Sequence, residues 1–439
     1  MITGDEYRAG IGDGRAIWLS GRPVGDVTTH PLLSKSVDSV ASGYDEHAGR
    51  VNPMYGVPRT HDELRAQMEV LLAADRTAPA TAGCLALTTV ADELAAVDRS
   101  LADALLAFAG SCRDRDVRVA AAVQDTASPV RVVGRRGDSL VLSGGKQHVV
   151  GAAEAHELLV VPSGPVGEAE PERAVACAVP LNAPGVRVIA STPAPRAEDD
   201  RHYPFSRVRS ISDCLVVLDD VTVGPERVFL DGQVSHAGLL GSTLGVWERA
   251  LAVADQADRA ELIMGLAQTI SDMNGISAVS HVRDKLSAIA VYAKMCRAGW
   301  ESALANAKVT SGGMVSPDES YLYAAKAYGA SLYSDMTAYL HDVAGGLVIT
   351  CPTIADLDNP DTGDDLRKYI RTMEGVSGED RMRIFHLIRD LTADTYGGWD
   401  KVTNQVIGGG LHAQRMATLD TFDLAPVKAR ARAVAGCQD

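Results

Sequence analysis

A glycine-rich segment in the middle of the chain carries residue types that suit a charged, planar ligand. Gly144, Gly145 and Gly151 have no β-carbon and therefore let a ligand approach the backbone closely. Lys146 offers a positive charge for a phosphate group, and His148 is our candidate catalytic residue. The same pattern also fits two strands joined by a turn, with an exposed lysine and a loop histidine. We predict ligand binding by this segment.

A second glycine-rich stretch lies near the C-terminus, where Gly408, Gly409 and Gly410 precede Gln414. The spacing is not G-x-G-x-x-G and no strand comes before it, which argues against a dinucleotide-binding turn. Three glycines can let the chain turn beneath a pyrophosphate, whose charge backbone N–H groups and Gln414 would meet. A simple linker between two helices, with a glycine cap, is the alternative.

Arg283 is a further candidate for binding a cofactor phosphate. It lies in the sequence Ser280-His-Val-Arg-Asp-Lys-Leu286, which predicts the start of a helix. Arg283 could face a phosphate or an acidic neighbouring helix. A solvated helix face is the more common explanation of such charges.

The composition limits the classes of function. The 439 residues include 42 Lys and Arg against 57 Asp and Glu, a net charge of −15, which disfavours nucleic acid or an anionic membrane as a partner. The seven cysteines contain no C-x-x-C pair, so we expect neither a disulfide framework nor a metal site. The N-terminus has no signal-peptide pattern and no apolar run approaches the ~20 residues that cross a bilayer, which predicts a cytoplasmic protein.

The hydrophobic periodicity divides the chain into three parts. Apolar residues recur at helical spacing between Thr60 and Arg113, short β-type runs separated by turn residues begin near Arg131, and the helical pattern returns from His236. The predicted fold class is α+β but mostly α. It has an N-terminal helical domain (residues 1–130), a central β-barrel or antiparallel sheet domain (131–235) and a C-terminal helical bundle (236–439).

Several motifs together resemble the 4-hydroxyphenylacetate 3-hydroxylase family over nearly the whole chain. They include Thr3-Gly-Asp-Glu-Tyr7, Gly144-Gly-Lys-Gln-His-Val-Val-Gly151, Asp213-Cys-Leu-Val-Val-Leu-Asp-Asp220 and Gly408-Gly-Gly-Leu-His-Ala-Gln-Arg415. The resemblance implies the acyl-CoA-dehydrogenase-like fold and an FAD cofactor. Its members include two-component monooxygenases, which use FADH2 from a separate flavin reductase to hydroxylate phenols. Other members are 4-hydroxybutyryl-CoA dehydratases, which combine FAD with an iron–sulfur cluster.

The resemblance also implies which residues would contact the flavin. One group is in the central segment and the other in the helical bundle, where related folds complete the flavin site from a neighbouring subunit of a homotetramer or homodimer. The implied contacts are Lys146, Gln147, His148, Val150, Gly151, Arg283, Gly408, Gly409, Gly410 and Gln414.

The chain departs from both branches of the family at their signature positions. The dehydratases use two cysteines four residues apart, where this chain has only Cys84, so we expect no iron–sulfur cluster. The Arg, Tyr and His that bind the phenol in the hydroxylases fall at Leu87, Ala91 and Ala121. We therefore predict a substrate pocket lined by these three apolar residues and a substrate other than an ordinary phenol.

The leading hypothesis is an FADH2-dependent monooxygenase, a hydroxylase or epoxidase, that acts on a small organic metabolite, in specialised metabolism. One alternative is a cluster-free, flavin-dependent lyase or isomerase of an acyl thioester. The other is a flavin-free protein that uses the apolar cavity for binding or cyclisation.

Overall fold

The computed structural model describes residues 2–46, 55–74, 78–196, 199–407 and 409–437. Five helices form most of the first part of the chain. A capping box of Thr3 and Glu6 starts the first helix, and the Asp98 side chain caps the fifth. The helices are α1 (Gly4–Ile11), α2 (Leu33–Glu46), α3 (His61–Ala74), α4 (Ala78–Leu94) and α5 (Arg99–Arg115).

Ten strands form two open sheets, with the short helix α6 (Ser206–Arg209) between the eighth and ninth strands. The six-stranded sheet has the order β2-β1-β8-β9-β5-β4, with β1 (Ile17–Leu19), β2 (Arg22–Val24), β4 (Arg131–Arg136), β5 (Ser139–Val150), β8 (Val186–Ser191) and β9 (Asp213–Val223). The four-stranded sheet has the order β10-β7-β6-β3, with β3 (Val119–Ala122), β6 (Glu157–Val160), β7 (Val175–Pro180) and β10 (Val228–Asp231).

The sheets differ in two ways from a single antiparallel sheet or barrel. Neither sheet closes into a barrel in the part of the chain that is described. Two strand pairs, β1 with β8 and β3 with β6, are parallel. Because β1, β2 and β3 all precede residue 131, the first part of the chain contributes strands to both sheets.

The remaining helices form the C-terminal bundle. Its long members are α7 (Val234–Met273), α8 (Ser280–Ala305) and α9 (Glu319–Ala344), with a small hairpin of β11 (Lys308–Val309) and β12 (Val315–Ser316) between the last two. Shorter helices follow: α10 (Leu347–Thr350), α11 (Ile354–Asp358), α12 (Gly363–Tyr369), α13 (Gly378–Thr392), α14 (Thr395–Val406), α15 (Leu411–Asp420) and α16 (Leu424–Val434). None of the helices described has the length and apolar character that a membrane crossing requires.

One hydrophobic core joins the helical parts and the sheets. Helix α4 lies between β3 and α7, and the Trp247 indole N–H on α7 donates a hydrogen bond of 2.9 Å to the Thr89 hydroxyl on α4. At the start of α7, a β-carbon on Gly241 would lie 2.7 Å from the carbonyl oxygen of Pro162, just after β6. The two contacts fix α7 against both the N-terminal helices and the β domain.

Two glycines within the bundle helices provide a matched test of this packing. A β-carbon on Gly329 of α9 would lie 1.7 Å from the buried Gln256 amide of α7, whereas one on Gly265 of α7 would meet open space. We expect Gly329→Ala to lower the free energy of unfolding by on the order of 1–3 kcal/mol through overpacking. Gly265→Ala should instead raise it by about 0.5–1 kcal/mol because alanine favours the helix. Urea unfolding of both variants checks this, and equal effects would contradict the close α7–α9 contact.

Candidate functional site

The glycine-rich segment forms the irregular half of strand β5. Its pairing with β9 shifts register twice, between Leu142 and Gly144 and between Lys146 and Val149. Gly144 has a φ of +135°, and a β-carbon there would lie 2.4 Å from the Pro129 carbonyl oxygen. Glycine is therefore required at this position because a neighbouring loop crosses the strand. A groove of about 360 Å³ lies beside it, lined by Thr126, Ser128, Gly144, Gly145, Arg187, Leu215, Val217, Leu218 and Asp219.

Lys146 points into the protein from this strand and is buried. Its ammonium group donates to the carbonyl oxygens of Val123 (2.8 Å) and Val161 (2.7 Å) and pairs with Asp125 at 2.7 Å. Burial lowers the pKa of Lys146, and the hydrogen bond to Asp125 opposes that change. The alternative of an exposed lysine is wrong. Since the three N–H donors are engaged, the Lys146 side chain has none left for a phosphate.

Gln147 binds the same loop as Lys146, because its amide donates to the carbonyl oxygen of Asp125 at 3.1 Å. His148 follows with a φ of +54°, which few residues other than glycine adopt. Its side chain is 71% exposed, and its Nδ1 lies 3.7 Å from a carboxylate oxygen of Asp213. Burial raises the pKa of Asp213, and the neighbouring His148 opposes that rise. The strained backbone therefore presents an imidazole outward beside a carboxyl group.

The chain just after β5 is fixed by a buried carboxyl group. Val150 is half-buried, and the N–H of Gly151 (φ +73°) donates to the Ser212 carbonyl oxygen at 2.8 Å. Glu154 is fully buried and accepts hydrogen bonds from the hydroxyls of Ser36 on α2 and Ser212 before β9. Burial raises the pKa of Glu154, and these hydroxyl donors oppose the rise. The carboxyl group thus links α2, the end of β5 and the start of β9.

The C-terminal candidates lie elsewhere. Gly408 is outside the described residues, Gly409 has a φ of +104°, and Gly410 precedes the first residue of α15. Gln414 is buried; its amide N–H donates to the Gly409 carbonyl oxygen, while its own Oε1 has no hydrogen-bond partner among the described residues. Arg283 is exposed beside a separate depression of about 410 Å³. No hydrogen bond or ion pair of the described chain connects these residues to the β5 segment.

The three candidate pocket residues are in the core next to this segment. Leu87 and Ala91 on α4 are each 1% exposed, and Ala121 on the adjacent strand β3 is 5% exposed. Helix α4 packs on β3. All three side chains belong to the same hydrophobic core, and their role as a substrate pocket stays a prediction.

A buried polar cluster in the bundle was missed by the sequence reasoning. Arg259 on α7 pairs with Asp255 at 2.9 Å and with Asp400 of α14 at 3.1 Å, and the Tyr333 hydroxyl donates to Asp400 at 2.9 Å. Near them, Lys326 on α9 is fully buried, and its Nζ has no hydrogen-bond partner among the residues described. The sequence feature that could have revealed this cluster is a charged residue within an apolar helical stretch. Arg259, which lies close to Ala257, Ala260 and Ile263 in the sequence, is such a residue.

Comparisons with known protein families assign the chain to a family. A model described as "4-hydroxyphenylacetate 3-hydroxylase N terminal" matches residues 3–230, and its "C terminal" counterpart matches residues 238–436. The chain belongs to the 4-hydroxyphenylacetate 3-hydroxylase family. Within that family, the oxygenase component of 4-hydroxyphenylacetate 3-monooxygenase from Thermus thermophilus is 24% identical over 456 residues, 95% of this chain and 93% of that protein. The FADH(2)-dependent monooxygenase TftD from Burkholderia cepacia is also 24% identical, over 97% of this chain and 90% of its own.

Solved structures confirm the acyl-CoA-dehydrogenase-like fold of this family member. The oxygenase HpaB complexed with FAD superposes with a TM-score of 0.88 at 24% identity, over 99% of this chain and 98% of that chain. An archaeal 4-hydroxybutyryl-CoA dehydratase from N. maritimus also gives a TM-score of 0.88, at 21% identity, over 100% of this chain and 95% of that chain. Butyryl-CoA dehydrogenase from Megasphaera elsdenii is more distant, with a TM-score of 0.53 at 14% identity over 88% of this chain and 87% of that chain.

The unpaired ammonium of Lys326 predicts a pH-dependent stability. Burial lowers the pKa of Lys326 to about 8 from 10.5, so folding releases a proton between these values. The cost of burying the charge is therefore complete below about pH 8 and fades as the pH rises to 10.5. We expect Lys326→Met to raise the free energy of unfolding at pH 7 by on the order of 2–3 kcal/mol, with a smaller gain at pH 10. Denaturant unfolding at both pH values measures it, with the exposed Lys294→Met as control. A gain independent of pH would contradict the prediction.

Proposed function

We propose that the protein is the oxygenase component of a two-component, FADH2-dependent monooxygenase acting on a small organic molecule. Membership of the 4-hydroxyphenylacetate 3-hydroxylase family over almost the entire chain carries this proposal. It is supported by relatives named as oxygenase components and by the FAD in the related HpaB structure. The β5 segment supports the proposal because Gly144 and Gly145 line an open groove and the His148 imidazole on the same strand is exposed.

The residues that are present fit FAD. Gly144 and Gly145 line an open groove, and the His148 imidazole is exposed further along the same strand. At the other candidate segment, the buried Oε1 of Gln414 lacks a donor, so it can accept one from a bound group. When bound, reduced FAD would react with molecular oxygen and supply the oxygen atom that enters the substrate.

The chain's own residues would position the cofactor and exclude water. Lys146 holds the loop of Val123 and Asp125 against β5, so it acts on the flavin site through the backbone rather than as a ligand. His148, with Asp213 beside it, is the titratable group on the accessible side of the strand and can hold or move a proton at its imidazole. Leu87, Ala91 and Ala121 offer the substrate an apolar wall, without ionisable groups that could deprotonate a phenol.

The source of reducing power and the assembly belong to the same proposal. The sequence has no nicotinamide-binding fingerprint of its own, so a separate flavin reductase would supply FADH2.

The Gly409–Gln414 segment lies on the bundle without polar contact to β5 within the described chain. Beyond it, α16 has no buried residue and exposes Leu424 and Val427. Both features support a homo-oligomer in which a second copy completes the cofactor site.

An alternative function is a cluster-free lyase or isomerase of an acyl thioester. The similarity to 4-hydroxybutyryl-CoA dehydratase along the whole chain favours it. The two functions differ in their need for oxygen.

The decisive experiment combines reduced FAD with labelled oxygen. We expect the purified protein to bind reduced FAD under anaerobic titration, and to incorporate ¹⁸O from ¹⁸O₂ into a product when a reductase, NADH and a panel of phenolic and neutral aromatic compounds are supplied. Aromatic compounds without an ionisable hydroxyl should be preferred over phenols, because the predicted pocket residues Leu87, Ala91 and Ala121 cannot deprotonate a phenol. Turnover of a crotonyl- or hydroxybutyryl-CoA thioester without oxygen would replace this function by the lyase, and failure to bind FAD in either redox state would exclude both.

His148 should contribute to binding through its side chain. We expect His148→Ala to weaken the binding of reduced FAD or of the substrate about tenfold, equivalent to ~1.4 kcal/mol. His148→Asn should have a similar effect on binding but fold more stably than alanine, because asparagine tolerates a positive φ. Fluorescence titration gives the affinities, with the exposed His61→Ala as control. Unchanged affinity for both ligands would remove His148 from the site.

A further inference from the structure

A cavity between α4 and α5 is separate from the groove beside β5. It has a volume of about 290 Å³, close to the lower limit of small-molecule sites, and it shares no lining residue with the groove. One face of α4 lines it, with Cys84, Thr88 and Asp92 spaced four residues apart. On the facing side of α5, Ala109 and Gly110 are too small to fill the space between the two helices. We call this space the α4–α5 cavity.

The interior of the α4–α5 cavity is mainly apolar. Of its lining residues, Tyr55 and Cys84 are 5% and 4% exposed, whereas Leu106 is 43% exposed, so the cavity runs from the core to the surface. The Tyr55 hydroxyl donates to the Val117 carbonyl oxygen, and the Thr88 hydroxyl donates to the Cys84 carbonyl oxygen at 3.0 Å. Because these donors are already engaged, the part of a ligand that enters the cavity should be apolar.

Two exposed arginines of the lining provide positive charge. The Arg59 guanidinium donates to the carbonyl oxygen of Gly312, in the turn between β11 and β12. The Arg113 Nη2 lies 3.7 Å from the position of a β-carbon on Gly110, so this guanidinium extends back along α5 beside the cavity, and its Nε donates to Asp114 at 3.3 Å. Among the described residues the other N–H groups of both guanidinium groups have no partner, so they can bind a ligand.

Asp92 supplies the one carboxylate of the lining. The Thr310 hydroxyl donates to it at 2.6 Å, and in the described chain it forms no ion pair with Arg59 or Arg113. Two guanidinium groups and one carboxylate give the cavity a charge of +1, although the whole chain carries −15. A ligand with one negative charge would balance this local excess.

We propose that the α4–α5 cavity binds a small organic monocarboxylate, with the carboxylate group at Arg59 and Arg113 and an apolar body directed toward Tyr55 and Leu85. The planar guanidinium group matches the two oxygens of a carboxylate, and the apolar interior favours a hydrocarbon body. An inorganic anion would use the two arginines and leave the interior without a contact. This site does not depend on the proposed oxygenase function.

Calorimetric titration of the purified full-length protein with benzoate tests the site. We expect saturable binding, with an affinity at least tenfold higher than that of benzamide, the neutral analogue. Arg59→Gln and Arg113→Gln should each weaken benzoate binding at least fivefold because each removes a charged donor. Arg115→Gln is the matched control, since Arg115 lies in the same last turn of α5 but outside the lining, and it should leave the affinity unchanged.

Ala109→Leu is a second test that keeps both arginines. The larger side chain should fill the cavity and weaken benzoate binding at least fivefold, while circular dichroism checks that each variant is folded. Absence of saturable binding, or equal affinity in the wild type and both arginine variants, would overturn the proposal. Sulfate that binds as tightly as benzoate would also overturn it, because the apolar interior would then contribute nothing.

A competition experiment separates this site from the proposed flavin site. Excess FAD should not displace benzoate, because the α4–α5 cavity and the β5 groove share no residue. Displacement by FAD would place benzoate in the flavin site and contradict the proposal. A protein that binds benzoate but no FAD would retain this site and lose the oxygenase function, so the two proposals fail separately.

Discussion

The arrangement of the candidate site depends on one buried carboxyl group. The Glu154 carboxyl group accepts hydrogen bonds from Ser36 on α2 and from Ser212 just before β9, and the Glu154 backbone carbonyl oxygen accepts one from the Tyr7 hydroxyl on α1. Burying a carboxyl group without such partners would cost several kcal/mol of folding free energy. Burial of Glu154 therefore depends on these hydrogen bonds. The Gly151 N–H donates to the Ser212 carbonyl oxygen, so the end of β5 and the residue before β9 are held together twice. These contacts help to position His148, near the end of β5, beside Asp213, the first residue of β9.

The β5 segment shows how the same residues can serve packing and binding. The missing β-carbon of Gly144 admits the Pro129 backbone, while Gly145 lies against Thr126. Lys146 then draws the Val123 and Val161 carbonyl oxygens together on the inner side. The inner side of the strand is filled by these contacts. A ligand could therefore bind only on its outer side.

The sequence predicted the order of helices, sheets and bundle because the periodicity is local, and its glycine motifs marked an irregular strand. It did not predict the parallel pairing of β1 with β8 or β3 with β6, since strands far apart in sequence meet only in the folded protein. For the same reason Lys146 was predicted to contact a cofactor, with an exposed lysine as the alternative, and neither prediction anticipated its internal partners. Whether Lys146 points inward depends on Asp125, 21 residues earlier, which no spacing rule connects to it.

The distribution of ionisable groups limits how any reaction at this site can be driven. Near β5, Lys146 and Glu154 are occupied by internal partners, and the predicted pocket residues Leu87, Ala91 and Ala121 have no group that titrates. In the bundle, Arg259 and Asp400 neutralise each other. Of the described side chains around the segment, the His148–Asp213 pair retains an exposed titratable ring. Under the proposed function, His148 is the candidate for proton transfer, and a bound cofactor would supply the reactivity.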